Sequence, residues 1–191
     1  MRRAPLLATC AGLVLAGVFV LAARTEVALV EPSDAARDAS SPAAVVFVCR
    51  NGVAMSVWSA AYFNRLAAER GLPERAVARA SIPSFTAVPL RMRFALAIDG
   101  FRLDDYRPHV IDEADARGAG LVVAIDTELP AAARASPSRV EIWDGFPPMR
   151  EQYFPSRAAL KTRVEALVER IAAEDRLARS VSRPRQEALQ E

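Results

Sequence analysis

Val45-Val46-Phe47-Val48-Cys49-Arg50-Asn51-Gly52-Val53-Ala54-Met55-Ser56 is the stretch on which the fold turns. Its opening apolar run is β-branched except for Phe47, the composition of a buried strand. The run ends in a cysteine. Asn51-Gly52 then marks a loop. Ser56 opens a helix to about Arg70, where Gly71 and then Pro73 stop it.

Working outward, the same alternation repeats. Val77–Ser81, Leu121–Ile125 and Val140–Trp143 read as further strands. Pro89–Asp99 reads as a helix closed by Gly100, and Asp112–Arg117 as a short one. Ser156 to about Ala173 is a long amphipathic helix, with Leu160, Val164, Leu167, Val168 and Ile171 on one stripe. Strands alternating with helices predict an α/β three-layer sandwich: a central parallel sheet of about four strands, with helices on both faces. Ligands of such sheets sit at the carboxyl ends of the strands. Cys49 ends the first strand and therefore falls at that position.

Composition narrows the function classes. Hydrophobic residues make up 52% and charged residues 25%, enough apolar material for a core and too much for wholesale disorder. A net charge of +2 is too balanced for a nucleic-acid binder, which carries a basic stripe, so no nucleic-acid partner is expected. Two cysteines and one histidine are too few for zinc-finger or iron–sulfur ligation, so no metal is expected.

The first residues read as an export signal or an anchor. Arg2-Arg3 precede an uncharged run from Ala4 to Ala23, with small residues before Arg24. Cleavage after Ala22 or Ala23 fits a secretory signal. The rival is an uncleaved helix attaching the chain to a membrane through residues 4–23, since roughly 20 apolar residues span a bilayer. A lipidated Cys10 fits poorly, because Thr9 precedes it and too little apolar sequence comes before. Either main reading places the remainder in the periplasm or outside the cell, free or tethered to the inner membrane. Residues 24–43, rich in Ala, Ser, Pro and Asp, read as a linker, residues 44–173 as the domain, and residues 174–191 as a polar tail. Cleavage would leave Cys49 as the only thiol.

A cysteine just before a helix N-terminus has a defined chemistry. Free backbone N–H groups there cradle anions and depress a thiol's pKa. A thiolate among such donors can attack a phosphoryl group that the same donors hold. Gly52 lets the loop wrap tightly, and Ser56 can donate its hydroxyl proton to sulfur. The bland alternative is a small buried thiol at a strand end.

Residues 45–56 resemble the phosphate loop of the low-molecular-weight protein tyrosine phosphatases and their arsenate-reductase relatives: an apolar strand, a cysteine, five residues, then Arg-Ser and a helix. Ala80-Ser81, Pro89–Ile111, Leu121–Asp126 and Ile142 to Ile171 resemble later parts of that family. The resemblance implies Cys49 as nucleophile, Ser56 as its partner, and a phosphate cradle built by Arg50, Asn51, Gly52, Val53, Ala54 and Met55. It implies no cofactor, and a phosphorylated small molecule or phosphoprotein as partner.

Two departures alter the expectation. Met55 stands where the family has an arginine that grips two phosphoryl oxygens. Losing one preorganised donor costs about 10²–10³ in rate, and a transition-state arginine is worth about 10³–10⁵. The family's Asp-Pro general acid is also missing. Trp143-Asp144-Gly145-Phe146-Pro147-Pro148 stands there, with Asp144 the nearest carboxylate and Asp126 a weaker candidate. Arg50, Arg91, Arg93 and Arg107 were each weighed as a substitute cation, and solvated surface arginines are the default reading. The residues therefore favour an exported domain of impaired catalysis that still binds a phosphate-type anion. The alternative is an active phosphatase working through a Cys49 phosphocysteine. A multi-cysteine arsenate reductase is disfavoured, because the mature chain lacks resolving cysteines; one that uses an external thiol is a minor alternative.

The remaining signals are structural. His109 reads as an exposed residue. Asp112, Glu113 and Asp115 form an acidic helix start that suits the helix dipole. Trp58 and Phe63 read as core, and Tyr106 and Tyr153 as packing residues or cleft walls.

Overall fold

A computed structural model describes residues 27–28, 44–83, 85–103, 106–135 and 138–187, with side chains described as far as residue 180. The signal or anchor segment and most of the expected linker lie outside these residues. The elements are β1 (Val27–Ala28), β2 (Ala44–Cys49), α1 (Met55–Glu69), β3 (Ala76–Ala80), α2 (Leu90–Ile98), β4 (Phe101–Arg102), α3 (Glu113–Gly118), β5 (Ala119–Ile125), α4 (Ala131–Arg134), β6 (Arg139–Trp143) and α5 (Tyr153–Glu187).

The main sheet has the order β3-β2-β5-β6, and every pairing is parallel. β2 is therefore central and flanked on both sides. Its residues Val45 to Val48 are buried on both faces, which is why the run shows no polar alternation. The chain moves outward from β2 to β3, then returns past it to β5. Cys49 thus lies at the topological switch point, where parallel sheets open a crevice.

Helices cover both faces. On one, α1 packs against α5, over a core that includes Phe47, Trp58, Phe63, Leu96, Tyr106, Leu160, Leu167 and Val168. Phe47 packs edge-on against Phe63 with ring centroids 6.1 Å apart. On the other face, α3 and α4 close a smaller core around Val46, Val48, Val122, Ala124 and Leu129. A parallel four-stranded sheet between two helical layers is the architecture expected from the sequence.

Four details differ from the expected elements or were not among them. β1 pairs in parallel with β4, so the expected linker contributes a short strand. α4 had no apolar period to reveal it. α5 begins at Tyr153 and continues to Glu187, past the expected end near Ala173. Finally, Arg79 of β3 is 2% exposed. It donates from Nε and Nη2 to the two carboxylate oxygens of Asp115, at 2.8 and 2.9 Å. Burial alone would raise the Asp115 pKa, but the hydrogen bonds and charge of Arg79 outweigh it and hold the carboxyl below the usual range.

Candidate functional site

The loop between β2 and α1 is shaped by contacts on three sides. Cys49 ends β2 in register with Ala80 of β3 and Ile125 of β5. Beyond the strand, the Ser81 N–H donates to the Cys49 carbonyl at 3.0 Å and the Ile82 N–H to the Arg50 carbonyl at 3.2 Å. Gly52 takes a left-handed φ of 63°. A Cβ there would come within 3.0 Å of the Ala80 Cβ and backbone nitrogen, so only glycine fits. The buried Tyr106 hydroxyl donates to the Gly52 carbonyl at 2.7 Å and ties the loop from above.

The thiol itself is buried, at 4% exposure. Its sulfur lies 3.1 Å from the Ser56 Oγ, a hydrogen-bond distance for sulfur. α1 starts with Ala54 at its N-cap, with no side chain capping the first turn. The N–H groups that open this helix therefore have no side-chain acceptor, which leaves them available to an anion. The expected strand, cysteine, loop and helix N-terminus are thus brought together, with Ser56 at the sulfur.

Met55 behaves as its chemistry dictates. It is half-buried and packs against the core shared by α1 and α5. A thioether has no N–H to offer an oxyanion, and apolar contact is its favoured environment. The four candidate substitute arginines occupy different places. Arg91 and Arg93 are exposed on α2. Arg107 donates to the Tyr106 carbonyl at 3.1 Å. Arg50 is exposed at the mouth of a cleft of about 960 Å³, which Ser81, Asp126, Leu129, Ile142 and Asp144 also line. Its neighbour Asn51 lines a second cleft of about 500 Å³ with Ile82, Phe85 and His109. The loop after β2 therefore stands between two clefts, and consecutive residues line them.

The loop after β6 is held by a device the sequence reading missed. Asp126, at the end of β5, accepts from the Gly145 N–H at 2.8 Å and the Phe146 N–H at 3.1 Å. Its backbone is strained to a φ of 44°. Its carboxylate is thus engaged in holding the loop that carries Asp144. Asp144 itself is exposed and lines the larger cleft opposite Arg50. A strand-terminal aspartate facing a later Gly-containing turn is the sequence signal for such a tie.

Behind the loop, Asp99 anchors three elements. Its Oδ2 accepts from Trp58 Nε1 at 2.7 Å and the Tyr153 hydroxyl at 2.8 Å, and Arg157 Nε lies 2.9 Å away. Burial, then the bond to Asp99, pushes the Tyr153 pKa well above its ordinary value. Tyr106 and Tyr153 are therefore internal braces, whereas His109 is exposed as expected, its ring nitrogen 3.8 Å from Asp115.

The architecture defines a class: three-layer α/β proteins with a cysteine at the head of the loop at the sheet's switch point. More narrowly, the chain has the fold of the low-molecular-weight protein tyrosine phosphatases and arsenate reductases. It is similar to YfkJ from Bacillus subtilis, at 20% identity and a TM-score of 0.61, over 72% of this chain and 99% of that one. It is similar to a low-molecular-weight protein tyrosine phosphatase from the same organism, at 17% identity and a TM-score of 0.59, over 69% and 99% of the two chains. A thioredoxin-dependent arsenate reductase from Corynebacterium glutamicum matches at 17% identity and a TM-score of 0.56, over 72% of this chain and 66% of that one. No family model and no curated protein matches the sequence.

Proposed function

We propose that this chain is an exported phosphatase-like domain that holds a phosphate-type anion in the loop from Cys49 to Ser56, with catalysis impaired by Met55. The observation that carries the reading is the pairing of a phosphate-loop backbone with the wrong side chain. Gly52 keeps its left-handed turn and the helix N-terminus is uncapped, yet Met55 packs into the core. The cradle's backbone donors do not depend on side-chain identity. The charge that offsets a phosphoryl transition state does. Binding is therefore retained and turnover is not. The ligand is a phosphorylated small molecule or a phosphoprotein.

The second reading is an active phosphomonoesterase, favoured by one contact: Cys49 Sγ to Ser56 Oγ at 3.1 Å. In that reading the Cys49 thiolate attacks phosphorus and the bond to the leaving oxygen breaks. Asp144 supplies the proton that oxygen takes up. Water then cleaves the phosphocysteine, releasing phosphate and restoring the thiol.

Turnover of p-nitrophenyl phosphate, with Cys49→Ser as control, separates the two. Phosphate affinity measured by calorimetry tests the cradle itself. Phosphate binding without Cys49-dependent turnover is the expected result. Turnover that vanishes in Cys49→Ser supports the second reading. No phosphate binding and no turnover overturn both.

A further inference from the structure

α2 is apolar on two opposite sides. Met92 and Leu96 face the core. Leu90, Phe94 and Ile98 recur at four-residue spacing and are 66%, 65% and 65% exposed, a stripe pointing away from the protein. Phe154, 61% exposed, lies at the same end of the helix, because the hydroxyl of its neighbour Tyr153 bonds Asp99, the residue after Ile98. A large aromatic and two large aliphatics exposed on one short helix are unfavourable in water and mark a contact surface.

Charge and tether specify the partner. Arg91 and Arg93 flank the stripe and are exposed, and no carboxylate occurs in the sequence between Glu74 and Asp99. An apolar stripe edged by arginines is the pattern of a helix lying in the headgroup layer of an anionic bilayer. Among the described residues no helix is long and apolar enough to cross a membrane, so α2 would rest on the surface. The chain's uncharged run closely precedes Val27 in sequence. Val27 pairs with Phe101, three positions beyond Ile98. The run ends at Ala23, and four residues of chain reach at most about 14 Å.

We propose that α2 is an in-plane contact with an anionic membrane surface, made through Leu90, Phe94 and Ile98 and supported by Arg91 and Arg93. The contact fixes the domain's orientation, which a leading segment alone would leave free to swivel. It also holds the two clefts beside the phosphate loop at a set attitude to the bilayer.

The test uses the full chain in vesicles of phosphatidylcholine with phosphatidylglycerol, in a background of Cys10→Ser and Cys49→Ser. A nitroxide is placed at Phe94→Cys or, as a reference on the exposed side of α5, at Thr162→Cys. At position 94 the expected result is about a fivefold or greater loss of accessibility to a water-soluble nickel relaxant and a gain to oxygen, with little change at position 162. Arg91→Glu with Arg93→Glu should restore the accessibility of position 94, as should phosphatidylcholine alone. A label at 94 that stays as water-accessible as the one at 162 overturns the proposal. So does shielding that persists in the charge-reversed chain and grows with protein density, which would make the stripe a contact between two copies.

Discussion

The two loops that meet at the larger cleft are held in place by different means. The loop after β2 keeps its shape through fixed neighbours: Gly52 against Ala80, Tyr106 on the Gly52 carbonyl, Ser56 at the Cys49 sulfur. What it lacks is one side-chain charge, at Met55. The loop after β6 is also fixed in place, by Asp126 on two backbone N–H groups, but the carboxylate it presents, Asp144, is solvent-exposed. Backbone scaffolding and side-chain chemistry can therefore part company. The scaffold is braced by many residues at once, while catalytic power hangs on single groups.

The sharpest way to probe this contrast is to restore the missing charge. Met55→Arg should raise p-nitrophenyl phosphate turnover by about 10³ or more, the worth of a transition-state arginine. An unchanged rate would mean that the β2 loop does not hold phosphate in an attacking geometry. A yardstick away from both loops comes next. Asp115→Ala removes the carboxylate paired with the buried Arg79 guanidinium and should cost about 3 kcal/mol in urea unfolding. The same pair sets a pH dependence. Because the folded Asp115 pKa lies below its ordinary value of 3.8, its contribution is complete above that value and is lost as the pH falls beneath it. Titrating stability between neutral pH and acid, in the native chain and in Asp115→Ala, checks the sign.

Smaller changes then break the β2 loop by degrees. Gly52→Ala demands a left-handed alanine pressed on Ala80, and should destabilise the protein by about 2 kcal/mol and weaken phosphate binding with it. Full phosphate affinity in that variant would show that the loop tolerates more distortion than its contacts imply. Tyr106→Phe removes the hydroxyl that bonds the Gly52 carbonyl and lies 3.5 Å from the Ala78 carbonyl, for about 1 kcal/mol. Chemical denaturation of the two variants side by side shows whether the brace and the turn act independently.

Much of this was legible before any coordinates. The apolar run Val45–Val48 reads as a buried strand, and its ending in Cys49 places the thiol at the crevice. Met55 was visible as a departure because the residues around it keep the loop pattern. Other features left no local trace. Ala131–Arg134 is too short and too uniform to show a period. α5 continues past Ala173 through mostly polar residues, with no sustained apolar stripe to announce it. Arg79 sits in Ala-Val-Ala-Arg-Ala, where nothing local announces its burial, because its partner Asp115 arrives from a distant helix. Asp126 looked like a weak acid candidate, since its two partners lie beyond the next strand.

The central place of β2 also has a consequence for the order in which the molecule is made. Cys49 is enclosed by β3 and by β5, and the second of these emerges from the ribosome only after α3. A nascent chain stopped before Ala119 would have the cysteine, the glycine turn and the helix, but only one wall. The thiol should thus remain open to a bulky maleimide until β5 has docked. Pulse alkylation of Cys49 during refolding would then time the closing of the sheet.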